Sequence, residues 1–233
     1  MTTTKTLRKP AIEDDQCVEL RAVDWKGYSA LLRVRGERSA PRIIYLDGMV
    51  WIMSPAYFHE HLAERLGHFV MVVVEELDIP CAPSGSTTFR RRMKRGGVEG
   101  DKTFYLANEA RIRGKKKINL REDPPPDLAI EAVNTHAADA ALEVYRRLRT
   151  PEVWVCDEDS LNIHVLQPNG RYAPSQNSLA FPFLQATEIL AWAIRTQTGS
   201  ETTWMKDLRR WVREELAQRK QIEVKINSPE RAR

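Results

Sequence analysis

The segment Pro124-Pro125-Pro126-Asp127-Leu128-Ala129-Ile130-Glu131-Ala132-Val133 constrains the fold of this chain more than any other. A rigid proline run delivers a short apolar strand that carries two carboxylates. Residues 137–148 follow with Ala140, Leu142, Val144, Tyr145 and Leu148 in a helical pattern, and Glu152-Val153-Trp154-Val155-Cys156 reads as a second strand. Strand, helix and strand over 127–156 form a βαβ pattern, so the two strands are expected to be parallel neighbours in an α/β domain. Side chains alternate along a strand, which puts Asp127, Ala129, Glu131 and Val133 on one side. A carboxylate in an apolar strand is costly to bury unless it is paired, hydrogen-bonded or bound to a cation. Two of them, four residues apart, make a candidate divalent-metal site, because hard cations such as Mg²⁺ take one or two carboxylates plus waters and a phosphate. The alternative reading of the same residues is that Asp127 only begins the strand and Glu131 pairs with an arginine.

Upstream, Arg42-Ile43-Ile44-Tyr45-Leu46, Asp47-Gly48 and Met49-Val50-Trp51-Ile52-Met53 predict a hairpin closed by a type I′ turn. Ser54-Pro55 suits an N-cap and first helical position, and Leu62, Leu66, Phe69, Val70, Val73 and Leu77 recur at helical spacing. Glu60 lies near that helix start, off the apolar face, and His59 falls closer to it. Thr87–Arg90 and Asp101–Leu106 read as strands, 107–123 as a basic loop with at most one helical turn, and 161–166 as the strand pairing with 152–156. A short helix is expected at 186–194. Trp204, Leu208, Trp211 and Val212 line one face of a final amphipathic helix, which docks either on the domain or on a second copy in a homodimer. The organisation expected is an N-terminal extension over 1–25, a domain over 26–200, and a C-terminal helix with a basic tail over 201–233.

Three scattered cysteines among 233 residues provide neither a disulfide framework nor a CxxC pair. No apolar run is long enough for a membrane span and the N-terminus has no secretory pattern, so a cytoplasmic protein is expected. The net charge of +4 is modest, but its distribution is not. Arg90, Arg91, Arg92, Lys94 and Arg95 form one basic run, and Lys115, Lys116 and Lys117 another, on either side of Asp101 in sequence. Both are candidates for contacts to a phosphate backbone, and solvated loops are the plainer reading.

No phosphate-cradling loop, nucleophile elbow, dinucleotide turn or zinc-protease motif is present. What remains is an ordered acidic set: Glu60, Asp101, Asp127 and Glu131. Here a resemblance becomes specific. Asp47-Gly48 with Met53-Ser54-Pro55 and His59-Glu60, then Gly97-Val98-Glu99-Gly100-Asp101, Asp123-Pro124-Pro125-Pro126-Asp127-Leu128-Ala129-Ile130-Glu131, and Tyr145 with Pro151-Glu152-Val153-Trp154 resemble, in order and spacing, the Uma-two family of restriction endonucleases, a branch of the PD-(D/E)xK nuclease superfamily. The resemblance covers roughly residues 43–195. It implies a restriction-endonuclease-like central mixed β-sheet flanked by helices, and a DNA endonuclease that hydrolyses phosphodiester bonds with Mg²⁺ or Mn²⁺. It implies Asp101 and Glu131 as main metal ligands, Asp127 as a further ligand or supporting acid, and Glu60 as a helix carboxylate reaching the site through water. A nuclease fold that binds nucleic acid or a partner without cutting is the alternative.

Three positions depart from the family pattern. The superfamily's catalytic lysine belongs two residues after the second acid, where this chain has Val133, and a basic residue on the following helix is replaced by Ala141. The proline before the first Asp is Gly100. The family's Gly-Val before Pro151-Glu152 is Arg149-Thr150. Lys102 and Arg146 are the substitutes the sequence offers for the missing base, although strand alternation points Lys102 away from its neighbour Asp101.

Overall fold

The computed structural model describes residues 15–38, 40–132, 137–195 and 199–227. Its elements in chain order are β1 (Gln16–Leu20), α1 (Trp25–Arg35), β2 (Arg42–Leu46), β3 (Met49–Ser54), α2 (Tyr57–Glu76), β4 (Ala82–Pro83), β5 (Thr88–Arg91), β6 (Gly96–Glu99), β7 (Lys102–Tyr105), α3 (Glu109–Ile112), β8 (Leu128–Ala132), α4 (Ala137–Leu148), β9 (Glu152–Cys156), β10 (Leu161–Leu166), β11 (Tyr172–Ser175), α5 (Ala186–Ala193), α6 (Glu201–Trp211) and α7 (Ala217–Asn227), the last two joined by a π-helical turn.

The strands make two sheets flanked by helices, in the mixed α/β arrangement expected. The first is antiparallel, in the order β1-β3-β2-β6-β5, and the second is mixed, in the order β11-β10-β9-β8-β7-β4. The βαβ expectation holds: β8 and β9 are parallel, with Glu131 opposite Val155. The Asp47-Gly48 turn also forms as read. Both residues have positive φ (49° and 96°), as a type I′ turn requires, and Arg147 from α4 holds Asp47 with contacts of 2.6 and 3.0 Å.

Five layers result. α1 covers one face of the first sheet through Tyr28, Ile43, Tyr45 and Val50. α4 lies between the sheets, where Ala141, Val144 and Tyr145 meet Ile44 and Val98 on one side and Ala129 and Val153 on the other. The outer face of the second sheet, carrying Leu128, Ile130 and Trp154, packs on α2, α5 and α6. β8 is therefore buried on both faces, which explains its continuous apolar run.

Three local expectations are corrected. Residues 16–20, placed in a loose extension, form β1 and pair with β3 in full register. Ser54 ends β3 instead of capping α2, whose N-cap is Ala56. The carboxylate of Asp15 serves the helix start instead, accepting the Ala56 N–H at 2.7 Å, where an anion is favoured. Trp204, Leu208 and Val212 are fully buried within this chain, and Trp211 packs on Phe69 and Trp192. The apolar face of the C-terminal helix is thus spent on its own domain and does not support a homodimer. Among the described residues no helix is long and apolar enough to cross a membrane.

Candidate active site

The first sheet passes into the second between β6 and β7, and Asp101 sits at that crossing. Register places it beside Glu131, since Lys102 is opposite Ile130 on β8. The Asp101 carboxylate accepts the Ala132 N–H at 2.6 Å, so its orientation is fixed by the backbone of the neighbouring strand. Asp101 and Glu131 are only 3% and 2% exposed, far drier than surface carboxylates usually are. Burial first, and the adjacent Asp101 charge second, push the Glu131 carboxyl well above the ordinary carboxylate range. One donor tempers this: the Tyr145 hydroxyl of α4 donates to Glu131 Oε1 at 2.7 Å.

Gly100 makes that contact geometrically possible. A Cβ at position 100 would collide with the Tyr145 hydroxyl and lie 3.0 Å from Glu131 Oε1. In this chain the space that a Cβ at position 100 would fill holds the hydroxyl that orients Glu131.

Two cationic groups converge on Asp101. Arg42, heading β2 and itself buried, donates through Nη1 to Asp101 and through Nη2 to Glu60 at 2.9 Å. His59, in the first turn of α2, lies 3.0 Å from Asp101 through Nε2 and 2.8 Å from Asp15 through Nδ1. Burial alone would lower its pKa, but hydrogen bonds and charges of Asp101 and then Asp15 outweigh that and hold it at about 9. A raised pKa favours the imidazolium, the form in which both ring nitrogens donate. The result is a compact cluster in which Asp15, Glu60, Asp101 and Glu131 face Arg42 and His59.

The sequence-predicted residues divide accordingly. Glu60, Asp101 and Glu131 are brought together around Arg42. Asp127 is not: it is four residues from Glu131 along the strand, roughly 13 Å at the usual rise. Its carboxylate is occupied by the Leu106 N–H (2.7 Å), the Asn108 N–H (2.9 Å) and the Asn108 side-chain amide (2.6 Å). Asp127 thus begins the strand and pins the turn after β7, as the plainer reading allowed. Lys102 points to α2 and pairs with Glu64 at 2.5 Å. Arg146 is held by Glu143 and the Gly170 carbonyl. Neither substitutes for the missing lysine. Val133 lies outside the described residues, and Ala141 is fully buried in α4.

Of the basic runs, Arg90, Arg91, Arg92, Lys94 and Arg95 are exposed at the far end of the first sheet, where Arg91 pairs with Gly96. Lys115 is tied to Asp123, while Lys116 and Lys117 are exposed. Neither run touches the carboxylates. Sequence reasoning missed Arg42 as a site residue, although an arginine heading a buried apolar strand is the same signal that singled out Asp127 and Glu131. It also left His59 without a role.

The donor set decides what ion the pair suits. Among the described residues no group of three or more His, Cys, Asp or Glu side chains is arranged to hold a metal ion. Both His59 nitrogens are already engaged, by Asp101 and Asp15. Asp101 and Glu131 alone match a hard cation that keeps waters and takes a phosphate oxygen. Two adjacent buried carboxylates, one of them resisting ionisation, are also what a divalent cation relieves.

Among known proteins, no curated one matches the chain. A solved structure described as "a putative nuclease belonging to DUF820" from Anabaena variabilis is similar over 69% of this chain and 96% of its own, at 14% identity and a TM-score of 0.48. A family model described as "Putative restriction endonuclease" matches residues 25–197, nearly three quarters of the chain, and this span contains Arg42, His59, Asp101 and Glu131. The chain belongs to the Uma2 family.

Proposed function

We propose that the protein is a divalent-metal-dependent endonuclease that hydrolyses DNA phosphodiester bonds, with Asp101 and Glu131 holding Mg²⁺ or Mn²⁺. The observation that carries this reading is the juxtaposition of two buried carboxylates with Arg42 and His59 where the two sheets meet. A bound ion would polarise the scissile phosphate and lower the pKa of an attacking water. The chain's own residues do the rest. The Ala132 N–H fixes the Asp101 carboxylate and the Tyr145 hydroxyl that of Glu131, so little reorganisation is needed at the moment of reaction. Arg42 and His59 supply the positive charge that the superfamily assigns to a lysine. Arg42 takes the larger part, because its guanidinium spans Asp101 and the half-exposed Glu60 and so reaches toward the solvent side from which a backbone phosphate arrives. Asp127 acts at a distance, by holding the 106–108 turn.

A second reading has one observation in its favour. Arg42 already neutralises Asp101, so the same cluster is also that of a nuclease fold in which an internal ion pair has replaced the metal and nucleic acid is bound without being cut.

Supercoiled plasmid incubated with Mg²⁺ or Mn²⁺ separates the two. Nicking that needs the ion and is lost in both Asp101→Ala and Glu131→Ala supports the endonuclease. Salt-sensitive DNA binding without nicking supports the second reading. Nicking that persists unchanged in both variants removes these residues from the chemistry.

A further inference from the structure

Away from the carboxylates, a groove of about 550 Å³ is lined by Trp25 and Ser29 of α1, by Arg90, Arg91, Arg92 and Met93, and by Asn119 and Arg121 of the long loop before β8. A second cavity of about 450 Å³ adjoins it, sharing Trp25 and Arg92 and adding Arg95 and the Asp47-Gly48 turn. Two basic segments far apart in sequence are thereby brought to one concave surface. Many arginines among the described residues are paired. Arg95, for example, reaches Asp47 at 3.2 Å. Among the described residues, no carboxylate lies within ion-pair distance of Arg90, Arg91, Arg92 or Arg121. Four uncompensated guanidinium groups around one groove repel each other, and a polyanion relieves that repulsion.

The groove is also built rather than incidental. Trp25 is half-buried, lines the groove, and is held by edge-to-face contacts with Tyr28 at 5.3 Å and Tyr45 at 5.6 Å. The 119–123 turn is organised by Asp123, which accepts the Asn119 N–H at 2.8 Å and neutralises Lys115. Met93 at the rim is 90% exposed.

We infer that this groove binds a single-stranded segment of nucleic acid, with Trp25 as the base-stacking platform and Arg90, Arg91, Arg92 and Arg121 as phosphate partners. Stacking on an aromatic face beside a basic track is how single strands are held without sequence preference. A duplex keeps its base faces inside and offers Trp25 nothing to stack on. The choice of polyanion rests on the nuclease reading above, but the groove lies roughly 15 Å from Asp101 along the first sheet and works without the carboxylates.

The test uses full-length Asp101→Ala protein in EDTA, so that binding is read independently of cutting. Anisotropy is measured on labelled oligo-dT, on a duplex of the same length and on a poly-glutamate peptide. Tighter binding of oligo-dT than of either competitor is expected, with Trp25→Ala weakening it about tenfold and Trp25→Phe restoring most of the loss. Arg121→Ala, in an exposed loop where folding is not at stake, should lower the slope of log K against log salt by about 0.7. Equal or tighter binding of the duplex or the peptide overturns the inference, as does an affinity for oligo-dT unchanged by both Trp25→Ala and Arg121→Ala. Loss of plasmid nicking by the wild-type protein would count against the endonuclease while leaving this result standing.

Discussion

The tight packing of Gly100, Tyr145 and Glu131 gives a sharp test of the site's architecture, because one substitution should cancel much of the harm done by another. In Gly100→Ala the new Cβ collides with the Tyr145 hydroxyl, with Glu131 Oε1 at 3.0 Å and the Thr103 methyl at 3.2 Å as its next neighbours. Tyr145 is fully buried in α4 and cannot swing aside, so the overpacking should cost about 1–3 kcal/mol. Tyr145→Phe removes the hydroxyl and the hydrogen bond to a buried carboxyl, a loss of about 1–2 kcal/mol. Were the two independent, the double variant would lose about 2–5 kcal/mol. With the hydroxyl gone, the methyl added at position 100 meets atoms at 3.0 Å and beyond, so the double variant should be only slightly less stable than Tyr145→Phe. The coupling expected is about 1–2 kcal/mol, within the range for residues in contact. Urea unfolding of the four proteins in EDTA measures it. At about 2–4 °C per kcal/mol for a chain of this size, thermal midpoints should separate visibly too. Additivity within about 0.5 kcal/mol would refute the claim that the Gly100 position and the Tyr145 hydroxyl share one space.

Other outcomes follow from the same structure. Arg42→Ala should cut nicking by ~10²–10⁴, and Arg42→Lys should recover part of it, since a lysine keeps the charge but cannot span both Asp101 and Glu60; equal rates in wild type and Arg42→Ala would remove Arg42 from the mechanism. Asp127→Ala should destabilise the protein by about 1–3 kcal/mol, by stripping acceptors from the Leu106 and Asn108 amides, while leaving Mn²⁺ affinity near wild type; a large affinity loss would return Asp127 to the ligand set. Leu208→Ala should cost about 2–5 kcal/mol in unfolding with no change of mass in sedimentation, because that side chain is buried within its own chain. The Arg146 hydrogen bond, and then that of Arg147, hold Glu143 down to about 2. A depressed acid contributes stability above its unfolded pKa, near 4.5, and loses it as pH falls toward 2. Glu143→Gln should therefore flatten the acid limb of the stability–pH curve below about pH 4.5, and an unchanged limb would argue against the Arg146–Glu143–Arg147 contact.

Local signals carried much of the fold. The Asp47-Gly48 turn, the α2 stripe of Leu62, Leu66, Phe69 and Val70, and the strand-helix-strand run from Leu128 to Cys156 appear where periodicity and turn chemistry put them, because each is decided within a few residues. The site was only half legible. Glu131 stood out as an acid within an apolar strand and Asp101 through the ordered family resemblance, but the groups that act on them lie far away in sequence. Arg42 and His59 are 59 and 42 residues from Asp101, and no local pattern encodes such a pairing. Asp127 and Glu131 share a strand side, yet alternation says nothing about distance along the strand, and that distance separates a turn-pinning carboxylate from a site carboxylate. β1 was missed because Gln16–Leu20 is an exposed edge strand with no apolar alternation to announce it. The Trp204 face was ambiguous for a related reason. An amphipathic stripe requires a partner but does not name it, and here the partner is the chain's own α2 and α5.

The central claim is that Asp101 and Glu131 together hold one divalent ion. Electron paramagnetic resonance of Mn²⁺ titrated into the full-length protein counts that ion directly, with no dependence on substrate or activity. One bound ion per chain is predicted for the wild type and for Asp127→Ala, and none at the same concentrations for Asp101→Ala or Glu131→Ala. Mn²⁺ binding that survives both of the last two substitutions, or a wild-type protein that binds no ion, would contradict the account.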